Sequence, residues 1–527
     1  MASPVKAPRS NRGGSSPRRG RAPARSGRTP AARRAPTAGR TSQPAGGAAG
    51  GAPAASASTR SAAPSEPRAG ESVRLDSGRP SETSTSSGGR ELQGALESTY
   101  DSASAEEKRP GWRQTREERQ KADLERAERN NEIPGIRQGL AEQKDPEGRP
   151  IDGTGRKVGF IELNYDGERD RGDRHAQGVR DVIGGDEHGV APGAETRGFS
   201  LRRGPDDHHD PNLFPHTEPG FGLQLPGSEK YEDNATHLNS LIDTASTGLL
   251  DRATERLAAI HGSKAGFDAL NLSLSGAPSG LYTQTDSLLN EGPIRNDDGS
   301  KIYDYPAMRR AVLGDDSASL TREQQWQKVV DYVDGRLGNP KGQFQQSLGR
   351  YQDVVKKLTE SGTSVVAAAG NDGTDLARYP SNPPGATLNF LTRSPYVLTV
   401  GASDSRDTPG RRSDDLIAHW SSRGDGRVGG HNPTVAAPGN SVIANGEATS
   451  GTSFASPYVA GTIALMRQAN PNLSTAQVRD ILTSTAADTA GAGREAEGAG
   501  IVDPVAAVAA ARRAGLPEEI PPAPEIP

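Results

Sequence analysis

Short apolar runs alternate with amphipathic segments from about residue 155 to residue 513. The short runs predict β-strands buried on both faces, at residues 158–163, 197–201, 268–274, 364–369 and 396–400. Apolar residues at helical spacing predict helices, at residues 178–183, 237–260, 320–333, 352–359, 474–485 and 504–513. Strands that alternate with helices favour an α/β fold with a doubly wound, mostly parallel sheet flanked by helices.

The first 110 residues lack this pattern. Residues 1–65 contain twelve Lys or Arg and no Asp or Glu, amid Ala, Pro, Gly and Ser. Such a sequence buries too little apolar area to offset the entropy of ordering. We therefore predict a disordered region at 1–110, first basic and then rich in Ser and Gly. Residues 111–150, rich in Arg, Glu, Gln and Lys, predict a charged helical linker.

One folded domain is expected at 151–513, with an insertion at about 277–350 and a Pro/Glu-rich tail at 514–527. The chain has no cysteine, which excludes disulfides and thiolate metal sites. It has no run of 18 apolar residues, so no membrane span is expected. The N-terminus lacks the apolar core of a Sec-type signal peptide. We expect a protein that is cytoplasmic or exported by a signal-independent route.

The stretch at 449–467 reads Thr-Ser-Gly-Thr-Ser-Phe-Ala-Ser-Pro-Tyr-Val-Ala-Gly-Thr-Ile-Ala-Leu-Met-Arg. Apolar residues follow Ser453 at helical spacing, so Ser453 is expected at the amino end of a helix. Unpaired backbone N–H groups there favour a developing anion, and a base would make the hydroxyl a nucleophile. Pro457 is expected in the first turn, where proline needs no donor. The alternative is a plain helix start, capped by Thr452 or Ser453.

This stretch resembles the active-serine motif of the subtilisin-like serine proteases, Gly-Thr-Ser-x-Ala-x-Pro followed by a buried helix. The resemblance implies that Ser453 is the nucleophile. It also implies that His175 is the base, because His-Ala-Gln-Gly-Val at 175–179 resembles the family's His-Gly-Thr-His-Val. Histidine suits this role, and a parallel sheet brings a residue after its first strand to the carboxyl edge. The resemblance covers roughly residues 155–512.

The third member of the constellation departs from the family. An aspartate ends the first strand in the family's Val-Ile-Asp-Thr-Gly pattern, whereas Glu162 stands at that place here. Glutamate carries the same charge on a side chain one methylene longer, so we expect Glu162 to orient His175. Asp166, four residues on, is the main alternative, and Asp170 and Asp173 are others. A degenerate triad in an inactive relative is the remaining interpretation.

Two more segments resemble parts of the family's site. Ala-Ala-Ala-Gly-Asn at 367–371 resembles the family's segment in which the asparagine amide faces the tetrahedral intermediate, which implies this role for Asn371, although the composition of Gly-Asn-Asp-Gly alone favours a plain turn. Asn-Leu-Ser-Leu-Ser-Gly at 271–276 resembles the edge to which a substrate peptide adds as a strand; its candidate residues are Ser273, Leu274, Ser275 and Gly276. Arg378, just before a Tyr-Pro pair, falls at or beside the floor of the specificity pocket, or else points to solvent.

The predicted function is that of a serine endopeptidase that cleaves peptide bonds through an acyl-enzyme intermediate. An inactive relative that only binds extended peptides is the first alternative. The second gives the main role to the basic segment 1–65, as a contact for nucleic acid or an acidic surface. No cofactor is expected; a structural calcium ion is left open, without a ligand set to support it. Three histidines, His208, His209 and His216, lack a metal-ligand framework and are read as a solvated loop.

Overall fold

The computed structural model describes most of the chain from residue 116 onward, namely 116–130, 132–163, 165, 174–201, 234–290, 305–379, 381–406, 414–426, 431–489 and 491–515. Several expectations lie outside these ranges. They are the disordered region at 1–110, the alternative carboxylates Asp166, Asp170 and Asp173, and the histidines His208, His209 and His216.

The centre of the fold is a sheet of parallel strands. The strands are β1 (Lys157–Glu162), β2 (Glu195–Ser200), β3 (Ala269–Leu272), β4 (Ser364–Ala368), β5 (Val397–Asp404), β6 (Leu416–Ile417) and β7 (Val435–Pro438). Their order runs β2-β1-β3-β4-β5, and β5 also pairs with β7 in parallel and with the short β6 in antiparallel fashion. A separate hairpin, β8 (Val442–Ala444) and β9 (Glu447–Thr449), follows β7. The predicted doubly wound, mostly parallel fold is confirmed.

Helices cover both faces of this sheet. In chain order they are α1 (Arg116–Asn130), α2 (Ile133–Leu140), α3 (Arg174–Gly184), α4 (Asn234–Ser263), α5 (Pro278–Asn290), α6 (Tyr305–Leu313), α7 (Arg322–Leu337), α8 (Gln343–Glu360), α9 (Asp375–Arg378), α10 (Thr452–Ala469), α11 (Thr475–Ser484), α12 (Arg494–Glu497) and α13 (Pro504–Arg513). None of the described helices is long and apolar enough to cross a membrane.

Successive side chains of a strand point to opposite faces, and this alternation separates two apolar clusters. Val158 and Phe160 of β1 join the first cluster, with α2, α3, α10, α11 and α13. Ile161 joins the second cluster, with α4 to α8. The core therefore has two layers with the sheet between them.

The segment expected to be a charged linker is part of this core. Ile133, Ile136 and Leu140 lie on one side of α2, and all three are buried in the first cluster. Just before them, Glu132 is also buried, and its carboxylate accepts a hydrogen bond from the Tyr458 hydroxyl (3.3 Å). The linker prediction was wrong for these residues, because the charged residues of 116–130 hid the apolar spacing that follows.

The expected insertion at about 277–350 forms α5, α6, α7 and the first turns of α8. It is no surface appendage, since its side chains supply a large part of the second cluster, including Trp326, Val329, Val333 and Phe344. The strand expected at 268–274 is shorter, because Ser273 and Leu274 leave the sheet ladder after Leu272.

Candidate active site

A carboxylate and a histidine meet at the carboxyl end of β1. Glu162 is the last residue of β1, and His175 is the second residue of α3. The distance from Glu162 Oε2 to His175 Nδ1 is 3.1 Å. The Glu162 side chain is only 2% exposed, whereas that of His175 is 20% exposed. The carboxylate is thus enclosed, and the imidazole keeps one side open to solvent.

Ser453 lies at the amino end of α10, as the sequence predicts. All of the 18 residues of α10 are buried except Ser453. The next residue, Phe454, places its ring 5.4 Å from the imidazole of His175. Phe454 also packs on Gly178 of α3, where an added Cβ would lie 3.0 Å from the ring. These contacts bring the start of the serine helix against the helix that carries His175.

Pro457 lies inside α10 and not in its first turn, so that prediction was wrong. A proline at this position has no N–H for the carbonyl oxygen four residues earlier, which is that of Ser453. The hydroxyl of Ser273 donates to that oxygen instead, at 2.7 Å. Asn271 Nδ2 donates to Ser273 Oγ in turn (2.9 Å), and Ser456 Oγ lies 3.2 Å from it. Sequence reasoning missed this support, although Asn271 and Ser273 share one face of a strand.

Asn371 is held beside the serine by its neighbour Thr452. Asn371 Oδ1 accepts the Thr452 backbone N–H (3.0 Å) and the Thr452 hydroxyl (2.9 Å). A backbone N–H can only donate, so the atom facing it is the oxygen, and Nδ2 points the other way. A Cβ added at Gly451 would lie 3.7 Å from that Nδ2 and 3.6 Å from the backbone nitrogen of Ser453, so both nitrogens border the space beside Gly451.

The Ser453 N–H is a second donor in this place. As one of the first N–H groups of a helix it has no partner within the helix. No acceptor for it occurs elsewhere among the residues that the structure describes. Two N–H donors, from Asn371 and Ser453, therefore lie close together, an arrangement suited to binding an oxyanion.

The residues after Asn371 form a short charged turn. Burial raises the pKa of the Asp372 carboxyl to about 7, and the neighbouring Asp375 carboxylate adds to this effect. Burial also raises the pKa of Asp375, while Arg378 opposes the rise. Arg378 is exposed, with its guanidinium carbon 5.4 Å from the ring centroid of Tyr379. The structure thus places Arg378 at the surface, above an aromatic ring.

The expected substrate edge is only partly open. The side chains of Ser273 and Leu274 are buried, that of Ser275 is exposed, and Gly276 is half-buried. Addition of a peptide strand at this edge stays a prediction. Within the described ranges, no group of three or more His, Asp or Glu residues is arranged to hold a metal ion.

This geometry can be compared with known proteins. Residues 311–501 match the model of the subtilase family. Over this part of the chain the sequence is similar to the subtilase family. The serine protease AprX of Bacillus subtilis (strain 168) is 26% identical over 298 residues, which are 52% of this chain and 59% of AprX. Subtilisin DY of Bacillus licheniformis is 33% identical over 165 residues, which are 30% of this chain and 51% of that protein.

The matched part is thus less than two thirds of the length of these relatives. Among solved structures, the MycP3 protease from the type VII (ESX-3) secretion system is 20% identical, with a TM-score of 0.36. That comparison covers 73% of this chain and 87% of the MycP3 chain. The four residues Glu162, His175, Asn371 and Ser453 lie at or next to the starts or ends of elements that meet at one edge of the sheet.

Proposed function

We propose that this chain is a subtilisin-like serine endopeptidase in which Ser453 is the nucleophile, His175 the general base and Glu162 the residue that orients His175. The observation that carries the proposal is the 3.1 Å contact between Glu162 Oε2 and His175 Nδ1, beside the start of the serine helix. A carboxylate at Nδ1 fixes the imidazole with its other nitrogen available as a base, and stabilises the imidazolium that forms.

The reaction proceeds in two acyl transfers. His175 takes the proton of the Ser453 hydroxyl as Oγ attacks the carbonyl carbon of the substrate, and the carbonyl oxygen becomes negative. Asn371 Nδ2 and the Ser453 N–H donate hydrogen bonds to that oxygen. His175 then gives its proton to the leaving amine. In the second step His175 deprotonates a water molecule that attacks the acyl carbon, and it returns this proton to Ser453 Oγ as the bond to the acyl group breaks and the acid leaves.

The glutamate supports this function in place of an aspartate. The longer side chain places its carboxylate within hydrogen-bond distance of His175 from the end of β1, and burial shields that carboxylate from competing water. The presence of Glu162 in place of an aspartate also motivates the alternative function, which is an inactive fold that binds extended peptides. The two functions differ in whether Ser453 is activated.

A fluorophosphonate probe tests the proposal, because it labels only an activated serine. We expect stoichiometric labelling of the full chain and hydrolysis of an unstructured protein such as casein. Ser453→Ala should lose both labelling and turnover and keep the same circular dichroism and melting temperature, since the lost hydroxyl is a small structural change. Absence of labelling in the folded parent chain, or turnover in Ser453→Ala, would overturn the proposal.

The substrate preference is a separate proposal. The exposed guanidinium of Arg378 offers a bidentate partner to an acidic side chain of the substrate, so cleavage after Glu or Asp is expected. Equal cleavage after Leu, Phe and Glu in a peptide library, unchanged by Arg378→Ala, would contradict it. Contact of the basic segment 1–65 with nucleic acid or an acidic surface is proposed as an accessory property, and salt-dependent binding tests it.

A further inference from the structure

Helix α7, from the long excursion between β3 and β4, reaches the turn that follows Asn371. The ring of Trp326 on α7 stacks on Tyr379, with ring centroids 3.9 Å apart and planes 9° from parallel. Trp326 Nε1–H donates to Asn382 Oδ1 at 3.0 Å. One side chain, itself only 2% exposed, thus contacts both Tyr379, at the end of the turn, and Asn382, just beyond it.

Trp326 is itself fixed from its other sides. The ring of Tyr282 on α5 meets it edge-on, with centroids 6.4 Å apart. The guanidinium carbon of Arg322 lies 5.9 Å from the Trp326 ring centroid. Arg322 is in turn bound by both carboxylate oxygens of Asp286, each at 2.5 Å. Because Tyr282 and Arg322 both contact the indole, α7 presents a well-supported ring to Tyr379.

The residues between Asn371 and Tyr379 form one hydrogen-bonded unit, which we call the 372–379 turn. Successive backbone hydrogen bonds of 2.8 to 3.3 Å connect residues 372 to 379. The near end of the turn is anchored by the Gly373 N–H, which donates to the Trp420 carbonyl (2.9 Å). The far end contacts Trp326. The turn is continuous with Asn371. It would therefore lie beside a bound substrate peptide whose reacting carbonyl oxygen is placed between Asn371 and Ser453.

We propose that Trp326 is a positioning residue for substrate binding, which fixes the far end of the 372–379 turn and with it Arg378. This inference rests on the proposed peptidase function. Asn371 has its own anchor in Thr452, so loss of Trp326 moves the far end of the turn and leaves the oxyanion donors in place. The expected effect therefore falls on KM and not on kcat.

Kinetics per labelled active site test the proposal. Trp326→Ala loses the stack and the hydrogen bond, and we expect KM for peptide substrates to rise about tenfold with kcat changed less than about threefold. Trp326→Phe keeps an aromatic ring over Tyr379 and loses only the donor, so it should restore most of the binding. Normalising to Ser453 labelling removes any contribution from unfolded molecules.

Val333→Ala is the matched control. Val333 is fully buried on the same helix and lies in the same apolar cluster. Its truncation should lower the melting temperature, as Trp326→Ala does, and leave KM unchanged. Equal KM values for Trp326→Ala and the parent, or the same rise in Val333→Ala, would overturn the positioning role.

A second readout does not depend on catalysis. Hydrogen exchange of the 372–379 amides should accelerate in Trp326→Ala relative to Val333→Ala, whether or not the protein hydrolyses peptides. If the parent chain fails to label and to cleave, the peptidase function is wrong. Unchanged exchange in this turn would instead show that Trp326 does not hold it.

Discussion

The two faces of the sheet are packed by different means. On the face that carries α10, small residues permit close approach: a Cβ added at Gly461 would lie 2.8 Å from Val190, and one at Gly439 2.8 Å from Ala402. On the opposite face, large aromatic rings and ion pairs join the helices. Examples are the stacked rings of Trp326 and Tyr379 and the pairs Arg336–Asp243 and Arg350–Asp251.

We infer from this difference that one face supports the chemical step and the other supports substrate binding. The close-packed face brings the start of α10 against α3, and the polar atoms there have little freedom to move. The aromatic face reaches the same site through the turn after Asn371 and through Leu274 and Phe390, which lie in its apolar cluster. We therefore expect changes on the first face to alter the chemical step and changes on the second to alter binding or stability.

The largest effect is expected from Glu162→Gln on the first face. The amide has nearly the same shape as the carboxylate but carries no charge, and it can present an N–H to the imidazole. We expect kcat to fall by about 10³- to 10⁴-fold with the melting temperature little changed. Active-site titration and steady-state kinetics measure this.

Asp166→Asn is the matched control for that variant and should leave kcat nearly unchanged. If Asp166→Asn instead caused the larger loss, the orienting carboxylate would be Asp166, and the contact at Glu162 would be structural. The expectation that changes on the face carrying α10 alter the chemical step would then lose its main support, which is the contact of Glu162 with His175.

A smaller loss is expected from Asn371→Ala, which removes one of the two oxyanion donors. Removal of one such donor typically costs on the order of 10²- to 10³-fold in kcat. KM should change little, because the donor acts mainly on the negative oxygen that develops during the reaction. A change in KM alone would place Asn371 among the substrate-binding residues. Ser275→Ala, at an exposed hydroxyl of the substrate edge, is a suitable comparison.

The remaining effect is on stability and concerns Asp372, in the 372–379 turn. Its folded-state pKa of about 7 lies above the ordinary value of 3.8. The folded state therefore holds a proton that the unfolded chain releases between these values, and stability falls as the pH rises from about 4 to 7. Asp372→Asn removes this loss and should stabilise the protein at pH 8 by at most about 4 kcal/mol.

Urea unfolding at pH 4 and pH 8 measures the difference. Asp372→Asn should match the parent at the lower pH and exceed it at the higher one. Asp353 on α8 is exposed and provides a control. The free energy of unfolding of Asp353→Asn should differ from that of the parent by the same amount at pH 4 and at pH 8. An advantage of Asp372→Asn that is equal at pH 4 and pH 8 would contradict the buried-carboxyl explanation.

The first face could be predicted from sequence because its signals are local. The small residues before Ser453 and the apolar spacing after it occupy one stretch, and the apolar run of β1 ends at Glu162. The fold class followed from the same alternation of strands and helices. What failed even here was Pro457, because the compensating donor, Ser273, is 180 residues in sequence from the Ser453 carbonyl to which it donates.

The second face could not be predicted in the same way. Trp326 and Asn382 are 56 residues apart, and neither position shows in the sequence that the other is its partner. An aromatic residue at helical spacing predicts burial and does not name the ring it stacks on. Similarly, the charge of the segment at 116–130 concealed that the next helix, α2, belongs to the core.

The docking of α2 limits how far this chain can be shortened. Residues of α1 are mostly exposed up to Glu125, so trimming that helix uncovers little apolar surface. A cut beyond Glu132 would remove the carboxylate that binds Tyr458 on the serine helix, and further trimming would strip Ile133 and Ile136 from the core. We therefore expect a shortened chain to keep its fold only when the cut lies before Glu132, because that residue contacts the helix that begins with Thr452 and Ser453.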